Sequence, residues 1–338
     1  MRGFWDERQR LHAPVKELHN GAFVPFAETS ARADAILAAL PPAEAAVDHG
    51  EAPLLRVHPA AYLDFLENAW SDWRAAGREG DAAGYVWPVV GRRPLALDRI
   101  DARLGRFSMD ASTPVAEGTW RSAYWSCQTA LTALDAVLGG ERSAFALCRP
   151  PGHHCGADYM GGYCYLNAAA VAAEAALAAG RGKVAILDID YHHGNGTQDI
   201  FHRRGDVLFA SIHADPSTDY PFYWGHSDES GEGPGAGATL NLPLPRGTGF
   251  DAFDRALSAA LDRIAAFAPD LLLCSYGADT YEGDPISFFK LRTADYGPLA
   301  RRIAALGLPT LVLMEGGYAV DELGANVAAF LGGFDEAA

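Results

Sequence analysis

From residue 115 onwards, apolar runs of strand length alternate with longer stretches rich in alanine and leucine. The stretches of helical length lie over residues 117–138, 167–180, 250–267 and 295–306. The apolar runs begin the segments 143–148, 183–196, 206–213, 270–279 and 309–318. Strands that are apolar on both faces belong to parallel sheets covered by helices on each side. The pattern therefore predicts an α/β fold with a central parallel sheet, whose ligands bind beyond the carboxyl ends of the strands.

The first third of the chain is less regular. Helices are predicted over residues 30–40 and 58–77, and residues 78–115 form a long excursion rich in Gly, Pro and Arg. Loops of that length inside a compact domain are usually functional or form an interface. Because no linker, low-complexity run or repeat divides the 338 residues, we expect a single domain over residues 1–338.

Composition narrows the class of partner. The formal net charge of −16 argues against a nucleic-acid partner, because phosphates require a basic surface. The five cysteines form no C-x-x-C pair, which is typical of reduced thiols in a cytoplasmic protein. No apolar run is long enough to span a bilayer and the first 40 residues lack a signal-peptide pattern, so we expect a cytoplasmic protein without a membrane partner.

Polar residues that could bind a metal or take part in catalysis follow four of the predicted strands. Because the carboxyl ends of parallel strands lie at one edge of the sheet, we expect these side chains to meet there. They are His153, His154, Asp190, His192, Asp279 and Tyr318.

Asp190, His192 and Asp279 combine one imidazole with two carboxylates. That donor set leaves a position for water and is typical of a catalytic zinc site, although iron(II) or cobalt could also bind it. Each residue alone could be a cap or a surface residue, yet carboxylates next to apolar strands are costly to bury without a cation. Asp188, one step deeper on the same face, is expected to orient a histidine or to contact a monovalent cation.

The adjacent histidines supply acid–base chemistry next to such a metal. One imidazole can take the proton of a water molecule activated by the metal, and the other can stabilise charge or protonate a leaving amine. Tyr318 can donate a hydrogen bond to the oxyanion that develops on a carbonyl. Together these residues predict hydrolysis of an amide or ester, although singly they could be polar loop residues.

The motifs around these residues resemble the histone deacetylase and acetylpolyamine amidohydrolase superfamily, in the family's order. They are "RPPGHH" (149–154), "GGYCYLN" (161–167), "DIDYHHGNGTQDIF" (188–201), "GADTYEGDPISFFKL" (277–291) and "MEGGY" (314–318). The resemblance implies a single arginase/deacetylase-like α/β domain with helices on both faces of the sheet. It implies zinc held by Asp190, His192 and Asp279, His154 as general base, His153 as its electrostatic or general-acid partner, and Tyr318 as oxyanion donor.

The resemblance also implies a potassium site and an acyl tunnel. Potassium would be bound by Asp188, Ser211 and the main chain of Asp190, His192 and Ile212. The main chain near Gly162 and the rings of Tyr163 and Tyr220 would line the tunnel. Asn195 lies where some histone deacetylases have an aspartate behind the second histidine, so it should tune the basicity of His154 less strongly.

Two substrate classes remain open within the family. Short acetylated polyamines, such as acetylputrescine or acetylcadaverine, are favoured by the likeness of "MEGGY" and "KELHNG" to the polyamine branch, and acyl-lysine on proteins or peptides is the alternative. Glu17 would meet the distal cation of a polyamine at the tunnel rim, or it is a solvated surface charge. The resemblance to the polyamine branch also implies that the excursion over residues 78–115 helps to form a homodimer that narrows the entrance. A binuclear manganese hydrolase of the arginase type and an inactive binding protein are less well supported.

Overall fold

An eight-stranded parallel sheet forms the centre of the computed structural model, which describes residues 1–89, 95 and 97–336. The sheet strands are β1 (Arg2–Trp5), β4 (Glu44–Ala45), β5 (Ser143–Ala146), β6 (Val184–Asp188), β7 (Val207–Ala214), β8 (Thr239–Leu244), β9 (Leu271–Tyr276) and β10 (Thr310–Met314). Their order across the sheet is β4-β1-β5-β10-β9-β6-β7-β8, so that β4 and β8 form its two edges. A separate antiparallel hairpin joins β2 (Lys16–His19) to β3 (Ala22–Pro25).

Helices cover both faces of this sheet. They are α1 (Ala31–Ala39), α2 (Ala60–Ala75), α3 (Ile100–Arg106), α4 (Thr119–Leu138), α5 (Ala168–Ala178), α6 (Asn195–Phe201), α7 (Phe250–Phe267), α8 (Thr293–Ala304) and α9 (Val320–Glu336). One face packs against α2, α4 and α5, and the other against α1, α7, α8 and α9. Within the described residues, no helix combines the length and the apolar character that a membrane span requires.

Alternate residues of each strand enter opposite cores. In β9, Leu271 and Leu273 face the core under α4 and α5, whereas Leu272 and Cys274 face the core under α7 and α8. This alternation explains why the strands are apolar throughout, because a strand covered on both faces has no side for water. The predicted α/β class, with a central parallel sheet and helices on both faces, is confirmed.

The predicted segments and the observed elements differ at their ends. Strand β6 ends at Asp188, β9 at Tyr276 and β10 at Met314, so the polar residues predicted at strand tips lie in the loops that follow. The excursion over residues 78–115 is not entirely a loop, because it contains α3. Residues 90–94 and 96 of the excursion lie outside the described residues.

Candidate metal and catalytic site

A cavity of about 620 Å³ opens in the loops beyond the carboxyl ends of the strands. His154, His192 and Tyr318 contribute to its lining together with Gly162 and two further tyrosines, Tyr163 and Tyr220. The predicted meeting point of the polar residues is therefore a real concave site, at the place where parallel α/β sheets bind ligands.

Asp190, His192 and Asp279 converge at the base of this region. Nδ1 of His192 lies 3.0 Å from Oδ2 of Asp279 and 3.4 Å from Oδ1 of Asp190, and the three residues offer donor atoms that all lie within 4.8 Å of one another. Backbone amides fix both carboxylates, since Gly316 N donates to Asp190 at 2.8 Å and Tyr191 N donates to Asp279 at 2.9 Å.

The electrostatics of this trio fit a divalent cation. Asp190 and Asp279 are almost completely buried, and among the described residues neither forms an ion pair with a lysine or an arginine. Burial and the adjacent charge of Asp190 raise the pKa of the Asp279 carboxyl to about 7. Two buried carboxylates that repel each other in this way are costly unless a cation lies between them.

Gly316 shows why the loop after β10 is rich in glycine. A Cβ atom on Gly316 would lie 2.6 Å from Oδ2 of Asp190 and 2.7 Å from Oδ2 of Asp279. Any larger residue would therefore displace both carboxylates, which explains the first glycine of "GGY" in steric terms.

His153 lies in an acidic environment. Its Nδ1 is 3.0 Å from Oδ2 of Asp188, and its Nε2 is 3.8 Å from Oδ1 of Asp190. Burial opposes the charged imidazolium, but Asp190 and Asp188 outweigh it and raise the pKa of His153 to about 10. His153 therefore favours the cationic form.

His154 has the opposite tendency, although the ring centroids of the two histidines are only 4.1 Å apart. Its Nδ1 contacts Oδ1 of Asn195 at 2.7 Å, a neutral partner. Burial, together with the charges of His153 and His192, holds the pKa of His154 well below its usual value. A neutral imidazole at the cavity surface can accept a proton, whereas its charged neighbour cannot.

Tyr318 is fixed by two residues whose roles the sequence did not predict. The buried Arg32 donates from Nε to Gly317 O at 2.6 Å, and its guanidinium carbon lies 5.0 Å from the centre of the Tyr318 ring. Asp284 accepts the backbone N–H of Tyr318 at 2.7 Å. Arg32 and Asp284 therefore hold Tyr318 in place at the wall of the cavity.

Glu315 is a further buried carboxylate that the sequence did not predict to have a role. It accepts N–H groups from Gly152 at 2.7 Å and His153 at 3.1 Å, and the hydroxyl of Ser275 at 3.0 Å. These bonds tie the loop after β10 to the loop that carries both histidines. Only its position in "MEGGY" signalled it, because its partners lie on distant parts of the chain.

The predicted tunnel residues are brought together by the loop of Gly162. This glycine has a positive φ of 54°, and a Cβ atom there would lie 2.1 Å from Cδ2 of His154. Asp110 accepts both the N–H of Gly162 at 2.8 Å and the hydroxyl of Tyr220 at 2.9 Å. Asp110 itself lies in the cavity lining.

Glu17 lies behind Tyr163 and not in the cavity lining. The Tyr163 hydroxyl donates to Oε1 of Glu17 at 2.9 Å, and Ala27 N approaches Oε2 at 3.3 Å. Glu17 is 3 % exposed, so its interpretation as a solvated surface charge is wrong. Burial raises the pKa of its carboxyl, against the effect of the Tyr163 hydrogen bond.

The residues implied for potassium share adjacent strands. Asp188 in β6 and Ser211 in β7 are register partners, and Ile212 follows Ser211 in the same buried strand. The hydroxyl of Ser211 contacts Nδ1 of His213 at 2.8 Å, and Oδ1 of Asp188 accepts Asp190 N at 3.2 Å. The donors are therefore neighbours, each with a protein partner already.

Comparison with known proteins identifies the family of the chain. The model of the histone deacetylase domain matches residues 8–334. Acetylpolyamine amidohydrolase 1 of Pseudomonas aeruginosa is 51 % identical over the full length of both chains, and the acetylpolyamine amidohydrolase of Mycoplana ramosa is 47 % identical over 98 % of this chain and 99 % of its own.

Solved structures show the same similarity. The crystal structure of acetylpolyamine aminohydrolase from Burkholderia pseudomallei superposes with a TM-score of 0.96 at 42 % identity, covering 100 % of this chain and 99 % of its own. The HDA15 HD domain superposes with a TM-score of 0.81 at 30 % identity, over 98 % of this chain and 90 % of its own. The chain therefore belongs to the histone deacetylase family and is an enzyme of the deacetylase and amidohydrolase type.

Proposed function

We propose that the protein is a zinc-dependent deacetylase that hydrolyses small acetylated amines, acetylpolyamines such as acetylputrescine or acetylcadaverine, to acetate and the free amine. One observation carries the proposal: His154, His192 and Tyr318 line one cavity, and directly behind them His192 completes the Asp-His-Asp trio and His154 pairs with a histidine of opposite charge preference. The names of the full-length relatives support the class of substrate.

In this proposal Asp190, His192 and Asp279 hold one divalent cation, for which zinc suits the nitrogen and carboxylate donors. The bound cation would polarise the amide carbonyl and acidify a water molecule. Asp188, Ser211 and the main chain near Ile212 would hold potassium behind it, where Asp188 also orients His153.

The two histidines divide the proton transfers between them. His154, neutral and at the cavity surface, takes a proton from the attacking water as the new C–O bond forms. His153, as a cation, stabilises the negative charge that accumulates beside it. When the C–N bond breaks, the amine nitrogen leaves with a proton supplied by the histidine pair. Water is thus added across the amide, and no other reactant is required.

Tyr318, Gly162, Tyr163 and Tyr220 position the acetyl amide. The phenol of Tyr318 donates a hydrogen bond to the carbonyl oxygen as it becomes an oxyanion. The rings of Tyr163 and Tyr220, with the close main chain of Gly162, enclose the apolar part of the substrate.

Acidic groups near the cavity suit a substrate with a free ammonium group. Glu17 lies directly behind Tyr163, and Asp110 lies in the lining. The one arginine in the lining, Arg246, is already paired with Asp219 at 2.9 Å among the described residues. The net charge of −16 favours the same class of substrate.

The decisive experiment compares acetylputrescine with N-butylacetamide, which has the same four-carbon chain but lacks the terminal ammonium group. For the wild type, we expect a higher kcat/KM for acetylputrescine than for N-butylacetamide or an acetyl-lysine peptide. Glu17→Gln removes the charge but can still accept the Tyr163 hydroxyl. It should lower kcat/KM for acetylputrescine by about tenfold, equivalent to ~1.4 kcal/mol, and leave N-butylacetamide nearly unchanged.

Two results would count against this substrate. Equal losses on acetylputrescine and N-butylacetamide would mean that Glu17 acts through packing and not through charge. A wild-type preference for the acetyl-lysine peptide would favour the alternative function, deacetylation of acyl-lysine on proteins or peptides. The control variant Tyr163→Phe removes the hydroxyl contact of Glu17 while retaining its charge.

We also propose a homodimer in the cytoplasm. Apolar side chains that are 46 % to 70 % exposed are concentrated in the excursion over residues 78–115, namely Tyr85, Val86, Val89, Leu95 and Leu97. Exposed apolar clusters of this kind mark association surfaces, and an interface here would narrow the approach to the site. The five free, buried cysteines support a reducing compartment. A monomer in sedimentation velocity would contradict the dimer.

A further inference from the structure

A continuous row of hydrogen bonds leads from His154 to the protein surface. Nδ1 of His154 contacts Oδ1 of Asn195 at 2.7 Å, and Nδ2 of Asn195 donates to the Tyr159 hydroxyl at 3.3 Å. Tyr159 in turn donates to Oδ2 of Asp199 at 2.6 Å. Asp199 lies exposed on α6, and Trp224 Nε1 donates to its other oxygen at 3.1 Å. Neither Tyr159 nor Asp199 lines the cavity.

The donors and acceptors along this row have a fixed order, because the carboxylate of Asp199 at its outer end can only accept hydrogen bonds. An ionised carboxylate has no proton to give, so Tyr159 must donate to Asp199 and present an oxygen lone pair to Asn195. Only the NH₂ end of an amide can pair with that lone pair. The amide oxygen of Asn195 then faces His154, and Nδ1 of His154 must carry the proton.

Other neighbours of Asn195 agree with this orientation. Its Nδ2 lies 3.4 Å from the carbonyl oxygen of His154 and 3.2 Å from Sδ of Met109, both of which are acceptors. If the amide were turned over, its NH₂ group would face Nδ1 of His154. The neutral ring would then carry its proton on Nε2. The unprotonated nitrogen would be Nδ1, which faces Asn195 and could not act as a base toward the cavity.

We propose that Tyr159 and Asp199 are positioning residues that fix the amide of Asn195 and thereby keep His154 in the Nδ1–H tautomer, with Nε2 free to accept a proton. This inference rests on the proposed function of His154 as general base. Positioning residues are needed because residue 195 is an asparagine. Either oxygen of an aspartate could accept from His154, whereas an asparagine amide has one acceptor oxygen and must be oriented.

A double-mutant cycle separates this role from a structural one. Tyr159→Phe should lower kcat for acetylputrescine by about tenfold and change KM by less than twofold. Asn195→Asp should retain most activity, since either carboxylate oxygen can accept from Nδ1. In the Asn195→Asp background, Tyr159→Phe should cause no further loss. The matched control is Tyr124→Phe, which removes a hydroxyl that donates to Asp48, away from the cavity.

The tautomer can be observed without turnover. In ¹⁵N spectra of the zinc-loaded protein, the ring signals of His154, assigned by their loss in His154→Asn, should show a protonated Nδ1 and an unprotonated Nε2. In Tyr159→Phe a second population with the proton on Nε2 should appear, and it should disappear in the double variant. Unfolding midpoints of all variants should stay within a few degrees of the wild type.

The outcomes are distinct. The inference is overturned if Tyr159→Phe retains full kcat, if it loses the same factor in both backgrounds, or if the His154 signals do not respond. If the wild type hydrolyses no acetylated amine, the proposed function fails, while the ¹⁵N signals still decide whether Tyr159 controls the tautomer.

Discussion

The adjacent histidines His153 and His154 favour opposite protonation states because the ring nitrogen Nδ1 of each has a different partner. Asp188 and Asp190 surround His153 with negative charge, whereas His154 meets the neutral amide of Asn195. When the surroundings of two similar groups move their pKa values apart, one site can provide both a base and a cation at neutral pH. The sequence motif alone shows only that two histidines are adjacent.

Replacing Tyr318 by phenylalanine tests its role at the level of one hydroxyl. The phenyl ring keeps its contact with Arg32 and the backbone bond to Asp284, and Tyr318 is not among the metal donors. We expect unchanged zinc content and a kcat reduced by about 10²–10³, the usual cost of one oxyanion donor. Metal analysis and steady-state kinetics measure both; a kcat within threefold of the wild type would remove the oxyanion role.

Much of the site could be predicted at the residue scale, because each predicted residue follows a recognisable strand or belongs to a motif. In the structure His192 contacts both Asp190 and Asp279, and the ring of His154 packs beside those of His153 and His192. Arg32 was not predicted, because its importance depends on which distant carbonyl groups its guanidinium reaches. Glu17 was placed near the tunnel, but its burial behind Tyr163 depends on the β2–β3 hairpin, for which the sequence showed no clear pattern.

At the scale of elements, loops and not strands carry the chemistry. β6 ends at Asp188 and the donors Asp190 and His192 follow it, so backbone amides in irregular segments are available to the carboxylates. The long helices were predictable from their alanine-rich pattern. The strands β1 and β4 at one side of the sheet were not, since β4 has only two residues and neither carries a continuous apolar run. Short elements of this kind depend on pairing with neighbours.

Asn167 shows how one capping residue joins several elements. Its Oδ1 accepts Ala170 N at 2.9 Å at the start of α5, and its Nδ2 donates to Cys155 O at 2.9 Å and to the Thr197 hydroxyl at 3.0 Å. Asn167→Ala removes the cap, worth about 1 kcal/mol, and leaves buried partners unsatisfied.

We therefore expect Asn167→Ala to lower the free energy of unfolding in urea by about 2–3 kcal/mol. The control is Asn68→Ala in α2, whose amide donates only locally to Asp64 among the described residues and which should change stability by less than about 0.5 kcal/mol. Equal effects of the two substitutions would show that the cap does not organise the loop after Cys155.

Across the whole molecule, stability depends on histidines that are buried in the neutral form. Burial lowers the pKa of His58 to about 4 and that of His213 to about 4. In the unfolded chain a histidine has a pKa of about 6.5. Between pH 6.5 and pH 4 these two histidines therefore bind protons in the unfolded state but not in the folded state, so their contribution to stability falls as the pH falls through this window.

His58 gives a direct test of this acid sensitivity. Nδ1 of His58 donates to Ala157 O at 2.9 Å and Nε2 accepts Asn167 N at 3.1 Å, so both nitrogens are engaged only in the neutral ring. His58→Gln should reduce the slope of unfolding free energy against pH between 4.5 and 6 by about 1.4 kcal/mol per pH unit, the effect of one proton. Denaturant titrations over this range measure the slope.

The matched control for His58 is Tyr62→Phe. The Tyr62 ring packs against His58 at 5.6 Å, and its hydroxyl donates to Tyr165 O at 2.7 Å. Burial raises the pKa of Tyr62 well above 10, so it does not titrate in the acid range. Tyr62→Phe should therefore lower stability by a similar amount at every pH, whereas His58→Gln should change the slope. Parallel curves for both variants would mean that His58 is protonated in the folded state, and that its two hydrogen bonds do not hold it neutral.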